Sequence, residues 1–190
     1  MAGNANPRIQ EAISFAVEAH GKVGQARKDT TFPYVVHPIR VAEILYAFGY
    51  GEDVVAAGCL HDTIEDAGVT VEELRTRFGD RVASLVTAAS EPDRSPDWQE
   101  RKEHTIESLR TETDRDVLGL VAADKLDNVR SIAESLKTIG PARTWTIFNA
   151  GKDEQRWYYR TLAATLLARR PGEALLEQLD GETRAVFSDA

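Results

Sequence analysis

Two histidines and two carboxylates, His37, His61, Asp62 and Asp124, form a mixed nitrogen and oxygen donor set of the kind that holds a divalent first-row metal. No thiolate stands among them, so a structural zinc site is disfavoured; Mn2+ or Fe2+ suits the set, and zinc is compatible with it. Four protein ligands on a six-coordinate ion leave places for water and for a phosphate oxygen, the arrangement that metal-assisted hydrolysis requires. The stretch "AAGCLHDTIEDAG", residues 56–68, opens as the apolar wall of a buried helix and then sets His61, Asp62, Glu65 and Asp66 within six positions. Val54, Gly58, His61 and Glu65 fall on one helical stripe, and Val55, Cys59, Asp62 and Asp66 on the next. Both stripes pass from apolar to acidic along the same expected helix, whose far end must meet water or a polar cavity. Asp124 follows "GLVAA", where a core residue belongs. An unpaired carboxylate there costs several kcal/mol, so a cation is expected beside it.

The elements that must carry these groups are helices. Ile9, Ala12, Ile13, Ala16 and Ala19 form one apolar stripe, and Val41, Ile44, Leu45 and Phe48 a second, entered through Pro38 and left at Gly49. Thr70 and Glu73 read as a capping box for a short helix ending near Phe78, and Asp80 as the cap of the next. "DWQERKEHTIESLR", "DVLGLVAADKLDNVRSIAESL", "DEQRWYYRTLAATLLARR" and "GEALLEQLDGETRAVF" continue the helical spacing, and strand-like alternation is essentially missing. "KVGQARKDTTFPYVV" and "SEPDRSPDW", rich in Gly, Thr and Pro, are expected loops. The fold class is therefore all-α, as a single domain over residues 1–190.

Composition narrows the function classes. A chain of 190 residues with 42% hydrophobic content and 28% charged residues can bury one sizeable core. The net charge of −8 argues against a broad nucleic-acid surface while leaving room for a local phosphate pocket. One cysteine, Cys59, cannot form an internal disulfide, which points to a reduced, cytoplasmic setting. No segment reaches the ~18 apolar residues of a membrane span, and the start has no secretion signal. Oligomeric state is not readable from these features.

The order His37, His61-Asp62, Asp124 resembles the H…HD…D signature of the HD-domain metal-dependent phosphohydrolases. The flanking words "AHGKVGQARKDTTFPYVVHPIRVAEIL", "CLHDTIEDAGVTVEELRTRFGDRVASLV" and "AADKLDNVRSI" resemble the hydrolase domain of the RelA/SpoT family, especially the stand-alone small alarmone hydrolases. The motif-bearing core runs over about residues 8–165, followed by a C-terminal helix at 172–187. The resemblance implies a helical HD-domain bundle and Mn2+-dependent removal of the 3′-pyrophosphate from guanosine tetra- or pentaphosphate, as in the stringent response. It implies His37, His61, Asp62 and Asp124 as metal ligands and Glu65 with Asp66 as the catalytic pair. It also implies Arg27, Asn128 and Ser131 as nucleotide contacts, with Lys28 and Tyr34 near the substrate.

Departures from the family pattern are local. "RKDTTFPY" is one residue longer than the short turn of the long bifunctional enzymes, and "TAASEPDRSPDWQERK" replaces their "GVTK"-like word at the distal phosphates. With no room for a synthetase after residue 190, hydrolysis without synthesis is expected. Because HD folds host several phosphohydrolase chemistries, adenosine alarmones, the 2′-phosphate of NADPH and a pyrophosphorylated RNA 3′ end remain alternative substrates. A sensor or antitoxin that binds without turnover is the alternative from another class; retention of all six metal and catalytic positions favours an enzyme.

Overall fold

The computed structural model describes residues 6–28, 30–91 and 95–188. They are helical, and the one isolated bridge, Ala26 with Pro33, is the only β pairing among the described residues. Two compact units divide the chain, Met1–Ser90 and Glu91–Ala190.

The first unit contains α1 (Pro7–Val23), α2 (Val36–Ala47), α3 (Glu52–Leu60), α4 (Thr63–Ala67) and α5 (Val71–Ala89). Asn6 starts α1 by accepting hydrogen bonds from the backbone N–H groups of Arg8, at 2.9 Å, and Ile9, at 3.3 Å, with Pro7 in the first turn. The expected stripe buries Ala12, Ala16 and Ala19, joined by Phe15, and half-buries Ile9 and Ile13. At the centre lies α3, buried from Val54 to Leu60 and packed by α1, α2 and α5. Its closest neighbour is α2, because Gly58 has no side chain: a Cβ there would stand 2.8 Å from Leu45 Cδ1 and 3.2 Å from the Ala42 Cα. Cys59 is fully buried next to this crossing, and burial pushes its thiol up to about 12.

In the second unit α7 (Arg115–Thr138) is the buried central helix, following α6 (Trp98–Thr111) and flanked by α8 (Pro141–Thr144), α9 (Lys152–Arg169) and α10 (Ala174–Val186). Asp97 and Asp114 cap α6 and α7, each accepting a backbone N–H at 2.9 Å. Two ion pairs, Arg115 with Glu173 at 2.6 Å and Arg130 with Glu182 at 2.7 Å, fasten α10 along α7.

Several expected boundaries move. Val36 rather than Pro38 begins α2, so His37 lies inside its first turn. The helix expected to run through residues 54–66 breaks at His61 and Asp62 into α3 and α4. Asp80 does not cap a helix: Gly79, at φ 81°, makes the break within α5, while the Asp80 carboxylate accepts from Arg75 Nε at 2.9 Å. Short α8 was not expected. Of the loop "SEPDRSPDW", residues 92–94 lie outside the described residues.

Candidate functional site

The break between α3 and α4 is built by side chains that take helix carbonyls. The ring of His61 bonds through Nδ1 to the Gly58 carbonyl at 2.9 Å, and the Thr63 hydroxyl donates to the Leu60 carbonyl at 2.7 Å. Both compete with the backbone N–H groups that would continue the ladder, and the chain turns. Consecutive residues on an unbroken helix diverge by about 100°. Here His61 and Asp62 converge instead, with Nε2 and Oδ2 3.1 Å apart.

A carbonyl can only accept, so Nδ1 of His61 carries the proton and Nε2 presents its lone pair, the orientation that a metal-ligating imidazole takes from such a partner. His37, 3% exposed in the first turn of α2, places its Nε2 3.6 Å from the same Asp62 oxygen. The two imidazoles meet edge to face with centroids 5.1 Å apart. One donor atom from each of His37, His61 and Asp62 lies within 4.8 Å of the others. Two imidazoles, one of them oriented by a backbone carbonyl, and a carboxylate without thiolate fit a divalent first-row ion.

Tyr34, on the loop between α1 and α2, donates its hydroxyl to Asp62 Oδ2 at 2.6 Å. That bond orients the carboxylate, and outer partners of this kind carry 10–100-fold in metal affinity. Tyr34→Phe is therefore expected to weaken binding of a divalent metal by about tenfold or more in titration calorimetry, with the helical circular dichroism unchanged.

Glu65 and Asp66 follow on α4, half-buried, one turn beyond His61 and Asp62. The Gln25 side-chain amide donates to Asp66 Oδ2 at 3.1 Å. Arg27 and Lys28 share the Tyr34 loop; Arg27 is half-buried, its backbone N–H held by the Phe32 carbonyl at 3.0 Å, and Lys28 is exposed. Within the second unit, α7 carries Asp124, Asn128 and Ser131. The cation expected beside Asp124 is Lys125, whose ammonium is 2.6 Å from Oδ2, while the Asn128 amide donates to Oδ1 at 2.6 Å. Burial opposes the Lys125 charge, yet the Asp124 carboxylate holds it well above the ordinary lysine value. Ser131 lies half-buried in the following turn.

The first unit thus gathers His37, His61, Asp62 and Tyr34. It also brings in two residues that the sequence reasoning passed over, Gln25 and His20. The signal for His20 was present: it continues the stripe of Ala12 and Ala16 at four-residue spacing, a polar residue on a buried face.

A family model described as HD domain matches residues 12–149. Over 125 residues, 65% of this chain, the chain is 40% identical to the guanosine-3′,5′-bis(diphosphate) 3′-pyrophosphohydrolase of Aquifex aeolicus, of which it spans only 18% of the length. It is 36% identical over 141 residues to the Drosophila melanogaster guanosine-3′,5′-bis(diphosphate) 3′-pyrophosphohydrolase MESH1, covering 73% of this chain and 76% of that one. Among solved structures, a metazoan SpoT ortholog described as hydrolysing ppGpp aligns over 97% of both chains, with a TM-score of 0.78 and 28% identity. A crystal structure of lmo0812 from Listeria monocytogenes aligns over 80% of this chain and 99% of that one, with a TM-score of 0.74 and 36% identity. With its clustered histidines and Asp62 inside the matched segment, the chain belongs to the HD-domain family.

Proposed function

We propose that the chain is a Mn2+-dependent 3′-pyrophosphohydrolase of guanosine 3′,5′-bis(diphosphate) and its pentaphosphate analogue, acting in the cytoplasm through one HD-type domain. The observation that carries this reading is the convergence of His37, His61 and Asp62 one helical turn before Glu65 and Asp66. Similarity to pyrophosphohydrolases that act on the same nucleotide supports the substrate class, and the HD-domain match spans the boundary between the two compact units.

His37, His61 and Asp62 would hold the ion, with Asp124 added as fourth ligand by sequence resemblance. A divalent ion so held supplies Lewis acidity toward phosphate and toward water. Tyr34 keeps Asp62 turned toward the imidazoles. Glu65 or Asp66 orients the attacking water and accepts its proton at a carboxylate oxygen. The water oxygen bonds to the phosphorus attached at the 3′ position, the bond to the 3′ oxygen breaks, pyrophosphate departs, and the 3′ oxygen becomes a hydroxyl by taking up a proton delivered from the protonated carboxyl group through solvent. Arg27 offers a guanidinium able to stack on a purine, and Asn128, Ser131 and Lys28 are the remaining nucleotide contacts in this reading.

Purified protein supplied with Mn2+ is expected to release pyrophosphate from guanosine tetra- and pentaphosphate faster than it turns over adenosine alarmones or NADPH, with products resolved by chromatography. Preferential turnover of either of the latter overturns the substrate; binding of all of them without turnover overturns the enzyme. In the same assay Asp124→Ala is expected to lose Mn2+-dependent turnover, and retention of it would remove Asp124 from the ligand set.

A further inference from the structure

We propose that Gln25 is a positioning residue for Asp66, with its amide held in one orientation by the buried imidazole of His20. This inference rests on Asp66 as a proton-accepting carboxylate in the reaction proposed above.

His20 closes the last turn of α1 at 2% exposure, and neither ring nitrogen meets a hydrogen-bond partner in the usual geometry. Orphaned polar atoms at that depth are rare in folded proteins and cost about 1–3 kcal/mol each, so the site that keeps them gains something in return. The Gln25 Oε1 is a second buried atom in the same state. On the other side of that amide, Nε2 donates to Asp66 Oδ2 at 3.1 Å. A carboxylate accepts and cannot donate, so the amide must turn its nitrogen toward Asp66 and its oxygen inward. An inward carbonyl needs a donor, and the imidazole of His20 is the polar group that interacts with Gln25. Burial pushes His20 below the ordinary imidazole value, which leaves a neutral ring with a single N–H to donate. In this proposal the polarity of the chain follows: the His20 N–H faces the Gln25 carbonyl, outside ideal hydrogen-bond geometry, and the Gln25 amide donates to Asp66.

The same ring also backs the other arm of the site. Its centroid lies 5.1 Å from that of Tyr34, whose hydroxyl orients Asp62. One buried histidine therefore stands behind both outer partners, the one that aims a ligand carboxylate and the one that aims a catalytic carboxylate. A flipped Gln25 amide would set oxygen against oxygen at Asp66 and turn that carboxylate away from the water it serves.

The test uses the full chain. With Mn2+ and guanosine tetraphosphate, Gln25→Ala is expected to lower kcat about 10–100-fold, the range seen for outer partners of catalytic sites, with KM and Mn2+ affinity within threefold of wild type. In an Asp66→Asn background the same substitution is expected to cost nothing further. His20→Phe, which keeps a packed ring without its N–H, is expected to lower kcat severalfold, and His20→Gln, which restores a donor, to recover part of it. In metal-free 15N-labelled protein, the Gln25 side-chain amide resonances are expected to move on Asp66→Asn and on His20→Phe, a readout independent of turnover. Wild-type kcat in Gln25→Ala beside a dead Asp66→Asn overturns the inference alone, as does an equal loss from Gln25→Ala in both backgrounds. Full activity in Asp66→Asn removes the catalytic assignment of Asp66 and the inference with it.

Discussion

Asp62→Ala is expected to abolish both the Mn2+ binding and the turnover proposed above. Its Oδ2 is where the site converges: 3.1 Å from His61 Nε2, 3.6 Å from His37 Nε2 and 2.6 Å from the Tyr34 hydroxyl. Removing it deletes the one carboxylate of the cluster found among the described residues and leaves two imidazoles. The expected loss of metal affinity exceeds the ~10–100-fold attached to an outer partner, because a direct ligand is gone. Calorimetric titration with Mn2+ checks it. Asp62→Asn separates chemistry from folding, since its amide oxygen still accepts from Tyr34 and melting should stay within a few degrees of wild type. Mn2+ binding that survives in either variant at wild-type strength would show that the ion sits elsewhere.

Gly58→Ala is expected to damage the same site from behind. The added methyl would meet Leu45 Cδ1 at 2.8 Å and the Ala42 backbone at 3.2 Å. The leucine can rotate, but the α2 backbone has to move. Overpacking of this kind costs about 1–3 kcal/mol. At roughly 2–4 °C per kcal/mol for a chain of this size, melting should fall by about 2–12 °C. His37 rides on α2 and His61 ends α3, so the helix that yields carries one imidazole away from the other. The variant should therefore lose Mn2+ affinity as well as stability. Gly58→Val, with two more methyl groups at the crossing, should do more of both. A Gly58→Ala protein with unchanged melting would mean that Leu45 absorbs the clash by itself.

Much of this architecture was legible because helical periodicity reports burial directly. Ala12, Ala16 and Ala19, or Val41, Ile44 and Leu45, announce a face without any knowledge of what packs on it. His61 and Asp62 stood out for the opposite reason, as polar groups that end apolar stripes, and His37 through the mixed donor set that it completes with them. What stayed hidden depended on bonds between side chain and backbone. Periodicity carries an unbroken helix through His61, whereas the His61 ring and the Thr63 hydroxyl end it, and that break is what lets adjacent residues face one point. Asp80 is a good cap by type, but the glycine before it takes the turn and Arg75 takes its carboxylate. Asp124 was expected to need a cation, and its immediate neighbour Lys125 supplies one. Gln25 was hidden because its role comes from a partner 41 residues away, which no local pattern records.

The loop between α1 and α2 is pinned at its base, where Tyr34 N–H donates to the Gln25 carbonyl at 2.9 Å and Arg27 N–H to the Phe32 carbonyl at 3.0 Å. Gln25 and Tyr34, the two residues that reach the carboxylates, both belong to that base, whereas Lys28 and Phe32 near the tip are exposed, Phe32 at 65%. Length and geometry are thereby uncoupled: residues added at the tip cost only closure entropy, about 0.6 kcal/mol for each doubling. Evolution can lengthen this hairpin-like clasp, or an experimenter can graft a fluorophore onto it, and the groups that aim Asp62 and Asp66 keep their register.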